Sequence, residues 1–84
     1  MIAAGDIETT RAALSKLVKE GNAWAALELG KTYDPNILDA LGVRNFSADV
    51  AKARVWYQKA QLMGSPEAIG LLESLERSSK RRSR

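Results

Sequence analysis

Six positions of this chain recur at one offset of 43 residues: Asp6 with Asp49, Arg11 with Arg54, Lys16 with Lys59, Gly21 with Gly64, Ala25 with Ala68 and Leu29 with Leu72. Three of the six matched positions, Gly21, Ala25 and Leu29, are small, apolar or helix-ending. A period in the range of roughly 20–50 residues marks a solenoid, where each unit is one supersecondary element stacked on its neighbours. Solenoids mostly bind partners, so this feature bears on architecture first and on activity only through it.

The chemistry is bounded by what the chain lacks. With no cysteine and no histidine in 84 residues, disulfides and thiolate or imidazole metal sites are excluded. Ser-His and Cys-His nucleophile pairs are excluded as well. Carboxylates, lysine, tyrosine and serine remain, and no arrangement of them points to catalysis. Asp34, Asn36 and Asp39 lack the alternating ligands and central glycine of a calcium loop, and Asp34 reads better as a helix cap. Lys59 carries no sign of a catalytic environment. The reading is therefore non-enzymatic, with no catalytic, cofactor-binding or metal-ligating residue and no small-molecule substrate.

Charge is unevenly placed. Arg77, Lys80, Arg81, Arg82 and Arg84 supply five cations and no acid in the last eight residues; setting them aside turns the net +3 into −2. Ser78, Ser79 and Ser83 interleave them, and residues 78–84 read as a disordered basic tail. Such a tail is either a solvated end or an attachment point for nucleic acid or an anionic membrane surface.

Helical periodicity organises the rest. Residues 6–20 place Ile7, Thr10, Leu14, Leu17 and Val18 on one face, with Asp6 as N-cap and Gly21 just beyond the end. Residues 23–33 follow, capped by Asn22, with Ala25, Ala26, Leu29, Gly30 and Tyr33 as the apolar stripe. Gly30 inside a helix costs about 1 kcal/mol relative to alanine, so another helix is expected to approach closely there. Asp34 and Pro35 start a short helix over 35–41, and Val43 to Phe46 reads as a loop. A long helix over 48–63, capped by Ser47 and closed by Gly64, carries Val50, Ala53, Trp56, Tyr57, Ala60 and Met63 on one side. Ala51, Val55 and Leu62 lie on the other, which predicts packing on both sides. Ser65 and Pro66 open a last helix over 66–77 with Ala68, Ile69, Leu72 and Leu75 as its face. Short connections make the long helices antiparallel neighbours.

These residues resemble Sel-one-like repeats, a subclass of the tetratricopeptide-type helical repeats. The family pattern is similar to G-x-x-x-A-x-x-x-L-G-x-x-Y on a helix A, met here by Gly21, Ala25, Leu29, Gly30 and Tyr33. A loop G-V follows (Gly42, Val43), then D-x-x-x-A-x-x-W-Y-x-K-A with a closing glycine on a helix B: Asp49, Ala53, Trp56, Tyr57, Lys59, Ala60 and Gly64. Ala68 and Leu72 begin the next helix A. Residues 34–48 exceed the usual loop by about seven positions, and Glu73 and Glu76 replace the glycine and tyrosine expected on the last helix. The resemblance implies an all-α, right-handed α-α superhelix. Residues 1–77 would form one domain of a half repeat, a full repeat and a capping helix. It resembles the C-terminal end of a larger bacterial repeat protein, cytoplasmic or periplasmic according to what precedes it.

In that frame Trp56, Tyr57 and the repeat positions already named are core. Trp24 points away from the Ala25–Leu29–Tyr33 stripe. It is either an interface anchor or packed under the short helix or against the first. The helix A surface of Trp24, Leu27, Glu28, Lys31, Glu67, Leu71 and Ser74 is the expected site for a protein or peptide partner. The alternative is electrostatic attachment through the tail. Exposed solenoid ends would also allow self-association.

Overall fold

Helix boundaries in this protein follow its capping residues. The computed structural model describes residues 7–42 and 48–82. They contain α1 (Ile7–Lys19), α2 (Ala23–Tyr33), α3 (Pro35–Ala40), α4 (Val50–Leu62) and α5 (Glu67–Arg82). No strand occurs among the described residues, so the fold class is all-α. Asn22 Oδ1 accepts from the Ala25 amide at 3.1 Å and starts α2. Asp34 Oδ1 accepts from the Asn36 amide at 2.8 Å and starts α3, with Pro35 in the first helical turn. Each cap satisfies an amide that the helix itself leaves orphaned.

Two boundaries differ from expectation. The cap of α4 is Asp49, whose Oδ1 accepts from the Lys52 amide at 3.1 Å; Ser47, expected in that role, lies outside the described residues, as do Asp6 and the Val43–Phe46 loop. The Asp49 amide donates to the Tyr33 carbonyl at 2.9 Å, which ties the start of α4 to the end of α2 and fixes where the helix begins. At the other end, α5 does not stop at residue 77 but continues to Arg82. No glycine or proline interrupts residues 71–82, and cations near a helix C-terminus complement its dipole. The expectation of disorder from residue 78 is corrected for residues 78–82.

The ends of α1 and α4 share one geometry. Gly21 (φ +89°) donates to Val18 O at 2.9 Å while Asn22 donates to Leu17 O at 3.1 Å. Gly64 (φ +106°) donates to Gln61 O at 3.0 Å while Ser65 donates to Ala60 O at 2.9 Å. Both are Schellman turns, which need a left-handed residue just past the helix. Gly64, expected in the repeat core, is exposed and acts through this turn instead.

The 43-residue offset also relates side-chain contacts. Arg11 on α1 reaches α2: its guanidinium lies 3.7 Å from the Tyr33 ring centroid and donates to Thr32 O at 2.6 Å and Thr32 Oγ1 at 3.1 Å. Arg54, its counterpart on α4, reaches α5 and forks onto Glu76, the counterpart of Tyr33, at 2.7 and 2.9 Å. An aromatic face and a carboxylate thus serve the same arginine position.

Packing follows chain order: α1 on α2, α2 on α4, α4 on α5, with α3 touching both α2 and α5. One core joins Leu14 and Val18 of α1, Ala25, Ala26, Leu27 and Leu29 of α2, Ala53, Tyr57 and Ala60 of α4, and Ala68 and Leu75 of α5. The close approach expected at Gly30 is present. A Cβ built there overlaps the Tyr57 ring. Trp56, expected in the core beside Tyr57, is only half-buried at its edge, as are Tyr33 and Leu72. Adjacent helical residues point about 100° apart, so only one of the Trp-Tyr pair can face α2. The second stripe of α4 does not pack either: Val55 is 59% and Leu62 88% exposed.

Candidate partner-binding surface

The first turn of α2 presents Trp24, and the helix geometry carries it away from the side chains that meet α1 and α4. It is 57% exposed, which decides against a place under α3 or α1. One turn further, Glu28 and Lys31 pair at 3.1 Å, each about a third exposed. The pair satisfies both charges while keeping them at the surface, a geometry worth little to stability.

Leu27 does not belong to this surface. It is 2% exposed and part of the core, because α2 is covered from more than one side and its apolar arc is wider than the Ala25–Leu29–Tyr33 stripe. On α5, Glu67 and Ser74 are exposed while Leu71 is half-buried against the core. These residues do not sit on a continuous α2–α5 sheet of side chains. Both helices pack on α4, and α3 bridges them. Asn36 Nδ2 donates to Ser74 O at 3.3 Å, and Ser78 Oγ donates to Asn36 Oδ1 at 2.8 Å and lies 3.0 Å from Ser74 O. The Ser74 end of the surface is therefore occupied by α3, and the Trp24 end is open.

Beneath the surface lies a buried polar centre that periodicity does not reveal. Asp34 is 1% exposed. One carboxylate oxygen caps α3 and the other accepts from the Tyr57 hydroxyl at 2.6 Å. Burial first, then this hydrogen bond and the charges of Asp34 and Glu28, push the Tyr57 hydroxyl well above the usual tyrosine range, so it stays protonated and donating. The sequence does contain a signal for it: a tyrosine on a core stripe needs an acceptor when its ring is buried. Hydrogen bonding and the charge of Glu76 likewise raise Arg54 further above its ordinary value. Among the described residues no buried side-chain nitrogen or oxygen lacks a partner, and no three acidic side chains converge to hold an ion. The buried polar groups are thus engaged in holding helices together. No helix among the described residues is long and apolar enough to cross a membrane.

Comparison with known proteins returns no match, whether to family models, to curated proteins or to solved structures.

Proposed function

We propose that this chain is a non-enzymatic interaction module that holds a protein or peptide on the open face of α2, anchored by Trp24 and flanked by Glu28 and Lys31. The observation that carries the reading is the exposure of Trp24. A large aromatic left in water on a rigid helix is costly to leave bare and effective as an anchor once covered. The architecture we assign with it is a right-handed superhelix of the Sel-one-like, tetratricopeptide type. It is supported by the two Schellman turns and the two arginine contacts related by 43 residues.

Selection of binders from a random peptide display library on the intact chain, followed by titration of the enriched peptide, tests the function. Trp24→Ala should weaken binding at least tenfold, about 1.4 kcal/mol, with the melting temperature little changed. Loss of Leu27 is no test of this site, since that residue supports the core. Failure to enrich any peptide, or equal affinity of the Trp24→Ala form, sinks the reading.

A further inference from the structure

The extension of α5 to Arg82 changes the meaning of the basic C-terminal sequence. Four cations, Arg77, Lys80, Arg81 and Arg82, lie on regular helix instead of a loose chain. Helical register puts positions 77, 80 and 81 on one arc, opposite the arc of Leu71 and Leu75 that meets the rest of the molecule. Arg77 is exposed. Ser78, a quarter turn away, is held to Asn36 of α3, which fixes the rotation of the helix as it leaves the body. Apart from the last eight residues the chain carries net −2, so the net positive charge comes from this end.

We propose that the C-terminal part of α5 is a binding element for the phosphodiester backbone of double-stranded nucleic acid, independent of base sequence. The choice of occupant rests on charge and on what accompanies it. Residues 77–84 contain no apolar side chain, so this part of the helix has nothing to bury in the acyl boundary of a membrane, as interfacial helices do. The whole of α5 contains no aromatic residue, so there is no platform for the stacked bases on which single-strand binders rely. Cationic residues one helical turn apart, at positions 77, 80 and 81, suit closely spaced backbone phosphates, where counterion release supplies the affinity. This element is independent of the Trp24 surface and stands or falls separately from it.

The test is fluorescence anisotropy of the full chain with two labelled duplexes of unrelated sequence, about 20 base pairs each, across roughly 20–150 mM salt. Parallel arms use an oligo-dT strand and vesicles containing phosphatidylserine. The parent should bind both duplexes equally, with log Kobs falling against log salt at a slope near −2.7 for about three phosphates. R77Q/K80Q/R81Q should lose at least tenfold in affinity at low salt. Its slope should shrink by about 2.7, with an unchanged circular dichroism spectrum. Trp24→Ala should bind duplex normally. Absence of duplex binding at low salt, an unchanged slope in the triple variant, preference for oligo-dT, or vesicle binding as tight as duplex binding would each overturn the assignment.

Discussion

The ring of Tyr57 occupies the space that a side chain at position 30 would need. Gly30 lies on α2 and Tyr57 on α4, and a Cβ on the former overlaps Cδ1 and Cε1 of the latter. The ring has no easy way to withdraw, because it is fully buried and its hydroxyl is tied to Asp34 at 2.6 Å. This contact sets how closely the two central helices approach.

Gly30→Ala should therefore destabilise the protein despite the gain of about 1 kcal/mol in helix propensity. Overpacking typically costs 1–3 kcal/mol, and Gly30→Leu should cost more than Gly30→Ala. Urea denaturation of the three forms checks this. Two variants more stable than the parent would show that the helices separate freely.

Tyr57→Phe leaves the ring in place and removes the donor to a buried carboxylate, a loss of about 1.5–3 kcal/mol near neutral pH. The pH dependence follows from the raised hydroxyl pKa of Tyr57. Below about pH 10 the hydroxyl is protonated in folded and unfolded chains alike, so its stabilisation is complete. Above that, the unfolded chain releases the proton while the buried group retains it, and stability falls as pH rises. The unfolding free energy of the parent should decline more steeply between about pH 9 and 11 than that of Tyr57→Phe. Parallel profiles would contradict the assignment.

Trp56→Ala and Tyr57→Ala should differ sharply, although the two residues are adjacent. Tyr57 is fully enclosed, and truncating it should cost about 3–5 kcal/mol, enough to unfold so small a domain. Trp56 packs at the core edge with Lys59 Nζ 5.7 Å from its ring centre, so its loss should cost clearly less. Thermal melts followed by circular dichroism would give the order; a reversal would mean that the wrong member of the pair faces α2.

Arg11→Ala should loosen α1. The guanidinium is nearly buried, stacks on Tyr33 and closes two hydrogen bonds to Thr32, so its removal leaves polar groups of α2 unpaired at about 1–3 kcal/mol. Arg54→Ala, at a more exposed pair, should cost less. Chemical denaturation of both variants compares the two ends directly; an equal or greater loss at Arg54 would count against this view of Arg11.

Much of this architecture was legible because the signals are local. Asn22 and Asp34 announce helix starts through short polar side chains, Gly21 and Gly64 announce ends through their left-handed backbone, and α2 falls on Ala23–Tyr33 as periodicity predicts. What was not legible depends on which of several apolar faces finds a neighbour. Leu27 and Val55 look equally apolar in sequence, yet one is buried by the helices around α2 and the other meets water. The same holds for Trp56 beside Tyr57. The Asp34–Tyr57 hydrogen bond joins residues 23 positions apart, which no helical period encodes. At the surface, the exposure of Trp24 was one of two open alternatives, and the helical course of residues 78–82 was hidden by a composition typical of disorder.

Chain-order packing gives the molecule an uneven resistance to opening. α2 and α4 share the broadest interface and are joined by the Asp49–Tyr33 backbone bond, whereas α1 leans on α2 alone among its substantial contacts. When helices depend mainly on their neighbours, the margins fray before the middle does. Amide protons of α1 should exchange with solvent through brief local detachment, and those of α2 and α4 only when the whole structure opens. The protein would thus carry a built-in clock, slow at its centre and fast at its rim.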